Sequence, residues 1–175
     1  TFTFQTGATV AAGDVYVVAS SDADPDIIAL ADEVHAYADP WYITAFNGDD
    51  VRALAQINGD ETTIIDIIGT LDTDGDGASG EGIEDDPGDG WDVAGIEDGT
   101  KDHTLVRKSS VSTGNGGDWA SSSGTTENNS EWHVLDQNTW DYLGSHPNEM
   151  SAADPAIVVI SPEDGSTLFS GDVTI

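Results

Sequence analysis

The chain has 175 residues, 34 of them acidic and 4 Lys or Arg, which gives a formal net charge of −30. This charge argues against direct nucleic-acid binding, because proteins bind DNA by neutralising its phosphates with Lys and Arg. The absence of cysteine excludes disulfides and zinc–thiolate sites, and no apolar run reaches the ~20 residues of a membrane span.

The first third of the chain predicts β-structure interrupted by one helix. The opening TFTF is predicted as a strand, and 15–19 (VYVVA) is a β-branched run that follows a turn signal. A helix is predicted over about 25–34 (PDIIALADEV), with Ser21 or Asp22 as its N-cap. Strands therefore flank a single helical segment.

The centre of the chain predicts a β-hairpin. Apolar and polar residues alternate in 51–57 (VRALAQI), and an apolar run follows at 62–68 (TTIIDII). Between them, the Asn-Gly of the turn at 58–60 is a strong hairpin signal. Shorter strands are predicted at 104–107 and 131–135. Many short strands separated by turn signals favour an all-β sandwich.

A domain boundary is predicted near 147–155, PNEMSAADP, which is polar and contains two prolines. Residues 1–147 then form the first domain, 148–156 a linker, and 157–175 the first strands of a following β-domain. Two strands are marginal alone. Because the chain opens directly in a strand, we expect it to be a piece of a longer protein.

Several segments follow one another in a specific order: GATVAAGDVYVVASSDADPDIIALADE, FNGDD, IDIIGT, DDPGDGWDVAGIEDGTKDHTLVRKSSV, DWASSSGT and SEWHVLDQNTWDYLGSH. Together they resemble the bacterial lamin-tail domain over about residues 7–146. The resemblance implies an immunoglobulin-like β-sandwich from secreted multi-domain proteins, where it often accompanies nucleases, phosphatases, other hydrolases and adhesion-type repeats. The segment SPEDGSTLFSGDVTI resembles the start of the immunoglobulin-like repeats that often follow.

The chain departs from that family pattern in two places. Family members normally have further strands ahead of GATVAAGDVYV, and their loss predicts an open sheet edge and uncovered core surface. We expect those strands to have been cleaved, to be supplied by another chain, or to lie outside this piece. The second departure is LDTDGDGASGEGIE, which is inserted before the DPG turn at 86–88.

The insertion carries the DxDxDG pattern of calcium loops, in which alternate Asp carboxylates face one centre and the Gly permits a sharp bend. An EF-hand is not predicted, because its twelfth position would be Ile83 instead of Glu and no helix precedes the loop. An isolated calcium loop is predicted, and the alternative is a flexible acidic insertion that binds cations only diffusely. The predicted ligands are Asp72, Asp74, Asp76, the carbonyl of Ala78, Glu81 and Glu84, with Asp85 as an alternative closing ligand.

The remaining motifs give little support to an active site. The histidines form no HxH or HExxH spacing, so a catalytic transition-metal site is not predicted. The pairs Asp49-Asp50 and Asp85-Asp86 are predicted to lie in turns, and no nucleophile elbow is present. The four histidines are His35, His103, His133 and His146.

Aromatic residues are predicted to pack more often than to bind. Trp91 is expected to pack over the edge of the sandwich, and Trp132 and Trp140 are expected in the core. Trp41, in the polar-flanked DPWY, is the one plausible exposed aromatic, so a sugar-binding platform has little support.

We therefore expect a non-catalytic accessory, adhesion or partner-binding module of a secreted or cell-surface bacterial protein, stabilised by calcium. Its partners would be other domains of the same protein or another chain that completes the sheet. The alternative is a targeting or substrate-presenting domain of an extracellular nuclease or phosphatase whose catalytic domain lies outside this chain.

Overall fold

The computed structural model describes residues 2–37, 43–71 and 89–145. Within these ranges the chain has six strands and two short helices, so the prediction of a β-rich fold is confirmed. The strands of this part of the chain form three two-stranded sheets. No helix in it is long and apolar enough to cross a membrane. The predicted linker and second domain lie outside the described residues.

The first sheet is parallel and pairs β1 (Val18–Ser20) with β2 (Glu33–His35). The connection contains α1 (Pro25–Ile28), whose first turn includes the proline. The side chain of Asp24 caps the helix by accepting a hydrogen bond from the backbone N–H of Asp26 at 2.9 Å. The helix thus lies between two strands that pair side by side.

The sequence prediction was wrong for the extent and cap of α1. The helix ends at Ile28 instead of residue 34, and its N-cap is neither Ser21 nor Asp22. The segment after the helix is recruited to β1, because Asp32 and Glu33 both donate backbone N–H groups to the carbonyl of Val17. Tertiary pairing therefore overrides the local helical pattern.

The second sheet is the antiparallel hairpin of β3 (Arg52–Asn58) and β4 (Glu61–Ile68), as predicted. Its two-residue loop begins with Gly59 at φ 64°, a backbone conformation that glycine adopts without the Cβ penalty. One register irregularity occurs between Leu54 and Ala55. The hairpin is the longest regular element of the described chain.

The third sheet pairs β5 (His103–Arg107) with β6 (Trp132–Asp136) in antiparallel register, and both strands were predicted. Between them lies α2 (Trp119–Ser123), which was not predicted. Asp118 caps it by accepting from the backbone N–H of Ser121 at 3.0 Å. Three consecutive serines hide this helix from a propensity argument.

The main core lies where β4, β6, α2 and the 91–94 segment meet. Its buried members are Ile67, Val93, Ala94, Trp119 and Trp132. Six partly buried apolar residues pack around this core: Val51, Ile64, Ile68, Trp91, Leu105 and Val134.

Two sequence predictions about apolar residues meet different outcomes. Trp132 is 7% exposed and belongs to the core, as predicted. The core assignment of Trp140 was wrong, since it is 46% exposed and lies in the turn region beyond β6, beside a surface cavity of about 300 Å³.

The predicted TFTF strand was also wrong, because its described residues 2–4 adopt no strand conformation.

Candidate functional site

The predicted calcium ligands lie outside the described residues. Asp72, Asp74, Asp76, Ala78, Glu81 and Glu84 all fall within 72–88, as does the alternative Asp85. What the structure defines is the base of this acidic segment, formed by the end of β4 on one side and by 89–102 on the other.

The two ends of the acidic segment start from neighbouring points. A Cβ placed on Gly69, which has φ 88°, would lie 2.7 Å from the Trp91 ring. Trp91 donates its backbone N–H to Thr100 Oγ1 at 2.8 Å, and that hydroxyl donates to the carbonyl of Gly48 at 2.7 Å. Residues 72–88 therefore connect two stems that a shared set of contacts holds together.

The described part of the sequence DPGDGWDVAG belongs to the folded scaffold. Trp91 packs against the core cluster, and the side chain of Val93 is completely buried. Val93 also exchanges two backbone hydrogen bonds with Ile96, at 3.1 and 2.9 Å. Trp91 therefore packs against the core, whereas its expected place over the edge of a sandwich stays a prediction.

A lysine balances part of the negative charge at this base. Lys101 donates to Asp89 at 3.0 Å. The hydrogen bond and charge of Asp89, followed by the charges of Asp49 and Asp98, raise the pKa of Lys101 above its ordinary value. Asp49 is buried and accepts a hydrogen bond from Asn47 at 2.9 Å. The base is thus acidic and carries its own cation.

Metal ligation by the base alone has no support. Over residues 2–37, 43–71 and 89–145, the structure brings together no group of three or more His, Asp or Glu side chains that could hold a metal ion. The three described histidines lie apart, each with its own partner: His35 with Glu33, His103 with the carbonyl of Lys101, and His133 with Glu127. His146 lies outside the described residues.

The neighbouring basic residues Arg107 and Lys108 contact separate acidic partners. Arg107 binds both carboxylate oxygens of Asp66, at 2.8 and 2.9 Å, and donates to Glu131 at 2.7 Å. Lys108 donates to the carbonyl of Ser130 at 2.8 Å, and its Nζ also lies 3.5 Å from a carboxylate oxygen of Glu127. These cations join segments of the fold, and none of the contacts forms a shared basic surface.

An apolar groove lies beside β3, at a position that the predicted open sheet edge and uncovered core surface did not specify. Its volume is about 1070 Å³, and it lies between the N-terminal segment and the β3–β4 hairpin. Six of the seven β3 residues are exposed, including Leu54 at 45% and Ile57 at 54%. The alternation of apolar and polar residues in 51–57 predicted a strand, but the sequence alone could not show which face of that strand stays uncovered.

The two edges of the hairpin differ. The outer edge of β4 is covered by a loop, since Gly116 donates its N–H to the carbonyl of Ile65 at 3.0 Å. Asn115 both accepts from the N–H of Ile67 and donates to its carbonyl, at 3.0 and 2.8 Å. The other edge of the hairpin is formed by β3, which pairs with no strand besides β4 in the described part of the chain.

The far wall of the groove is anchored by a buried carboxylate. Glu33 accepts the backbone N–H of Gln5 and lies 3.2 Å from His35 Nε2. Burial raises the pKa of Glu33, but the hydrogen bonds from Gln5, His35 and Tyr16 outweigh burial and hold that pKa below its ordinary value. Phe4 packs edge-on against Tyr16 at 5.3 Å. These contacts attach residues 2–5 to the β1–β2 unit.

The groove contains a buried indole N–H that no described residue accepts. Trp132 lines the groove, and its indole Nε1 makes no hydrogen bond with the described residues. A buried N–H without an acceptor costs about 1–3 kcal/mol. Leaving it unpaired in a nearly fully buried side chain is therefore unusual.

The chain was compared with protein-family models, with curated proteins and with solved structures, and none of them matches it.

Proposed function

We propose that this chain is a non-catalytic accessory module of a secreted bacterial protein, and that it works by binding a partner through the groove beside β3. The observation that carries the proposal is an apolar groove of about 1070 Å³ bordered by exposed Leu54 and Ile57. Contiguous apolar surface of this kind marks interaction sites more often than scattered single residues do. The lamin-tail resemblance supports an immunoglobulin-like sandwich in a multi-domain setting.

The same proposal assigns calcium to the acidic segment. Three alternate carboxylates, a carbonyl and two glutamates supply the oxygen ligands that calcium prefers. Closely spaced carboxylates repel one another without a cation, and the two stems at Gly69 and Trp91 would hold the loop ends ready for closure. The ligands would be Asp72, Asp74, Asp76, Ala78, Glu81 and Glu84.

Calorimetric titration with calcium tests this assignment. We expect saturable binding by the wild-type chain and loss of that binding in Asp74→Asn, with Asp22→Asn as an exposed control of equal charge change. At a calcium concentration about 100-fold above Kd, the free energy of unfolding should rise by about 2.7 kcal/mol, which is measured as a higher melting temperature. Equal responses of the two variants would mean diffuse cation binding instead of a site.

Activity assays test the non-catalytic part. The purified chain should hydrolyse no nuclease, phosphatase or glycosidase substrate above the level of a heat-denatured sample. Hydrolysis that co-purifies with the chain through two orthogonal columns would overturn the proposal. A chain that is inactive alone but raises the activity of a hydrolase joined to it would favour a substrate-presenting role instead.

A further inference from the structure

We propose that the exposed edge of β3 accepts one extended peptide strand from another protein chain, apolar in its middle and flanked by Lys or Arg. This rests on the proposed partner-binding function and gives that partner a chemical description. The strand would extend the β3–β4 hairpin to three strands and cover the groove.

The backbone of β3 presents a regular row of groups to such a strand. Both backbone groups of Ile67 bond to Asn115 and so face away from β3, and the ladder partner of Ile67 is Ala53. Opposite residues of an antiparallel pair share this orientation. Ala53 therefore directs its N–H and C=O toward the uncovered edge.

The turn gives the same result at the other end of the strand. Asn58 faces Glu61 across a two-residue loop, and such flanking residues form a hydrogen-bonded pair. Pairs then alternate, so Ile57 and Ala55 direct their backbone groups outward. Three alternate residues of β3 thus offer donors and acceptors in the described structure.

Charge decides the chemistry of the partner. Asp49 and Asp50 precede β3, where Arg52 offsets one of these charges at 3.4 Å from Asp50. Asp60 in the turn and Glu61 at the start of β4 follow its other end. Both ends of the edge are therefore acidic, on a chain of formal net charge −30. A strand with basic ends is attracted to this edge, whereas a second copy of the chain is repelled.

The side-chain surface fits an apolar centre. Leu54 and Ile57 are exposed on β3, and Phe4 is exposed on the opposite wall at 42%. Strand addition obtains affinity from main-chain hydrogen bonds and specificity from alternate side chains. The groove would receive the side chains on one face of the incoming strand.

Amide hydrogen exchange with a probe peptide tests the proposal. The probe is the ten-residue peptide KKTVTVTVKK, with EETVTVTVEE as the matched control. Binding should slow exchange at Ala53, Ala55 and Ile57, and should leave the amides of Gln56 and Asn58, already paired to β4, nearly unchanged. The control peptide should bind at least about tenfold more weakly.

A proline variant gives a second readout. Ala55→Pro removes an outward N–H from an edge position, where proline is compatible with a strand. It should weaken binding of the probe by about tenfold or more, while Ala55→Val, which keeps the N–H, should bind as the wild type does. The folded state of both variants is checked by retained exchange protection at Gln56.

Four outcomes would overturn the proposal. They are slow exchange at Ala53, Ala55 and Ile57 in the free monomer, concentration-dependent protection through self-association, absence of probe binding, and probe binding without alternating protection. The last result removes strand addition alone and leaves partner binding through the groove intact. Failure of partner binding itself is seen separately, when neither the probe nor any peptide from a random twelve-residue library binds the wild type.

Discussion

Replacing Arg107 with Met should strongly destabilise the fold, because this side chain links three strands. From β5 it reaches Asp66 on β4 and Glu131, the residue immediately before β6, through three hydrogen bonds of 2.7 to 2.9 Å. Its guanidinium also lies 4.4 Å from the centre of the Trp132 ring. Methionine keeps the apolar stem and removes the charge and all of these bonds.

The magnitude follows from exposure. A hydrogen bond to a charged group contributes about 1.5–3 kcal/mol, and removing one partner of a buried ion pair costs about 3–5 kcal/mol. The arginine side chain is 11% exposed, but the side chains of Asp66 and Glu131 are 31% and 38% exposed. Water can therefore reach both carboxylates once the arginine is gone. We expect the free energy of unfolding to fall by about 3 kcal/mol, at the lower end of that range.

Arg52→Met is the matched control. Arg52 also stacks on an aromatic ring, at 4.2 Å from the centre of Phe46, and pairs with Asp50 at 3.4 Å. That pair is more exposed, so its loss should cost about 1 kcal/mol or less. Both variants remove one positive charge from an acidic chain, so the difference between them isolates the buried network.

Urea unfolding followed by tryptophan fluorescence measures both variants. The midpoint should fall much further for Arg107→Met than for Arg52→Met at an unchanged dependence on urea. Equal losses would refute the reasoning, since the effect would then come from net charge and not from the contacts of Arg107.

Two further predictions concern the stems of the acidic segment and the wall of the groove. Gly69→Ala should destabilise the chain more than Gly59→Ala in thermal unfolding: both glycines have positive φ, but only at Gly69 would the new Cβ meet the Trp91 ring, at 2.7 Å, whereas at Gly59 it meets nothing within 4 Å. Equal shifts in melting temperature would show that Trp91 yields freely. The depressed pKa of Glu33 adds stability that is fully present above the ordinary pKa of about 4.5 and is lost as the pH falls toward the folded-state pKa. Urea midpoints of wild type and Glu33→Gln should therefore differ from pH 7 to about 5 and converge below that, and a constant difference down to pH 3 would contradict this assignment.

Much of the regular structure could be predicted from local sequence signals. The Asn-Gly turn and its flanking apolar runs predicted β3 and β4 to within one residue, because a two-residue turn fixes the register of the hairpin it closes. The predicted positions of β5 and β6 were equally close. Their pairing joins residues about 30 positions apart in the chain, from His103–Asp136 to Arg107–Trp132, and no turn signal encodes it.

Errors arose where distant contacts decide the conformation. Residues 29–34 have a helical pattern, yet Asp32 accepts the N–H of Val17 through its side chain at 2.8 Å, and β2 begins at the next residue, Glu33. Phe4 stands in an alternating segment, yet ring contacts and the Gln5–Glu33 bond hold it outside any strand. In both segments a few tertiary hydrogen bonds outweigh propensities worth less than about 1 kcal/mol per residue.

The shortage of basic residues relative to acidic ones links the fold to both proposals. Each of the four Lys and Arg residues contacts an acidic side chain, and Arg107 contacts two. Four cations cannot neutralise 34 carboxylates, so most of the negative charge must be met by cations from outside the chain. Calcium at residues 72–88 and a basic-flanked strand at β3 would draw on this same surplus at different places. Calcium should therefore weaken peptide binding only as much as equal ionic strength of other salts does, and a stronger effect of calcium would show that the two places are coupled.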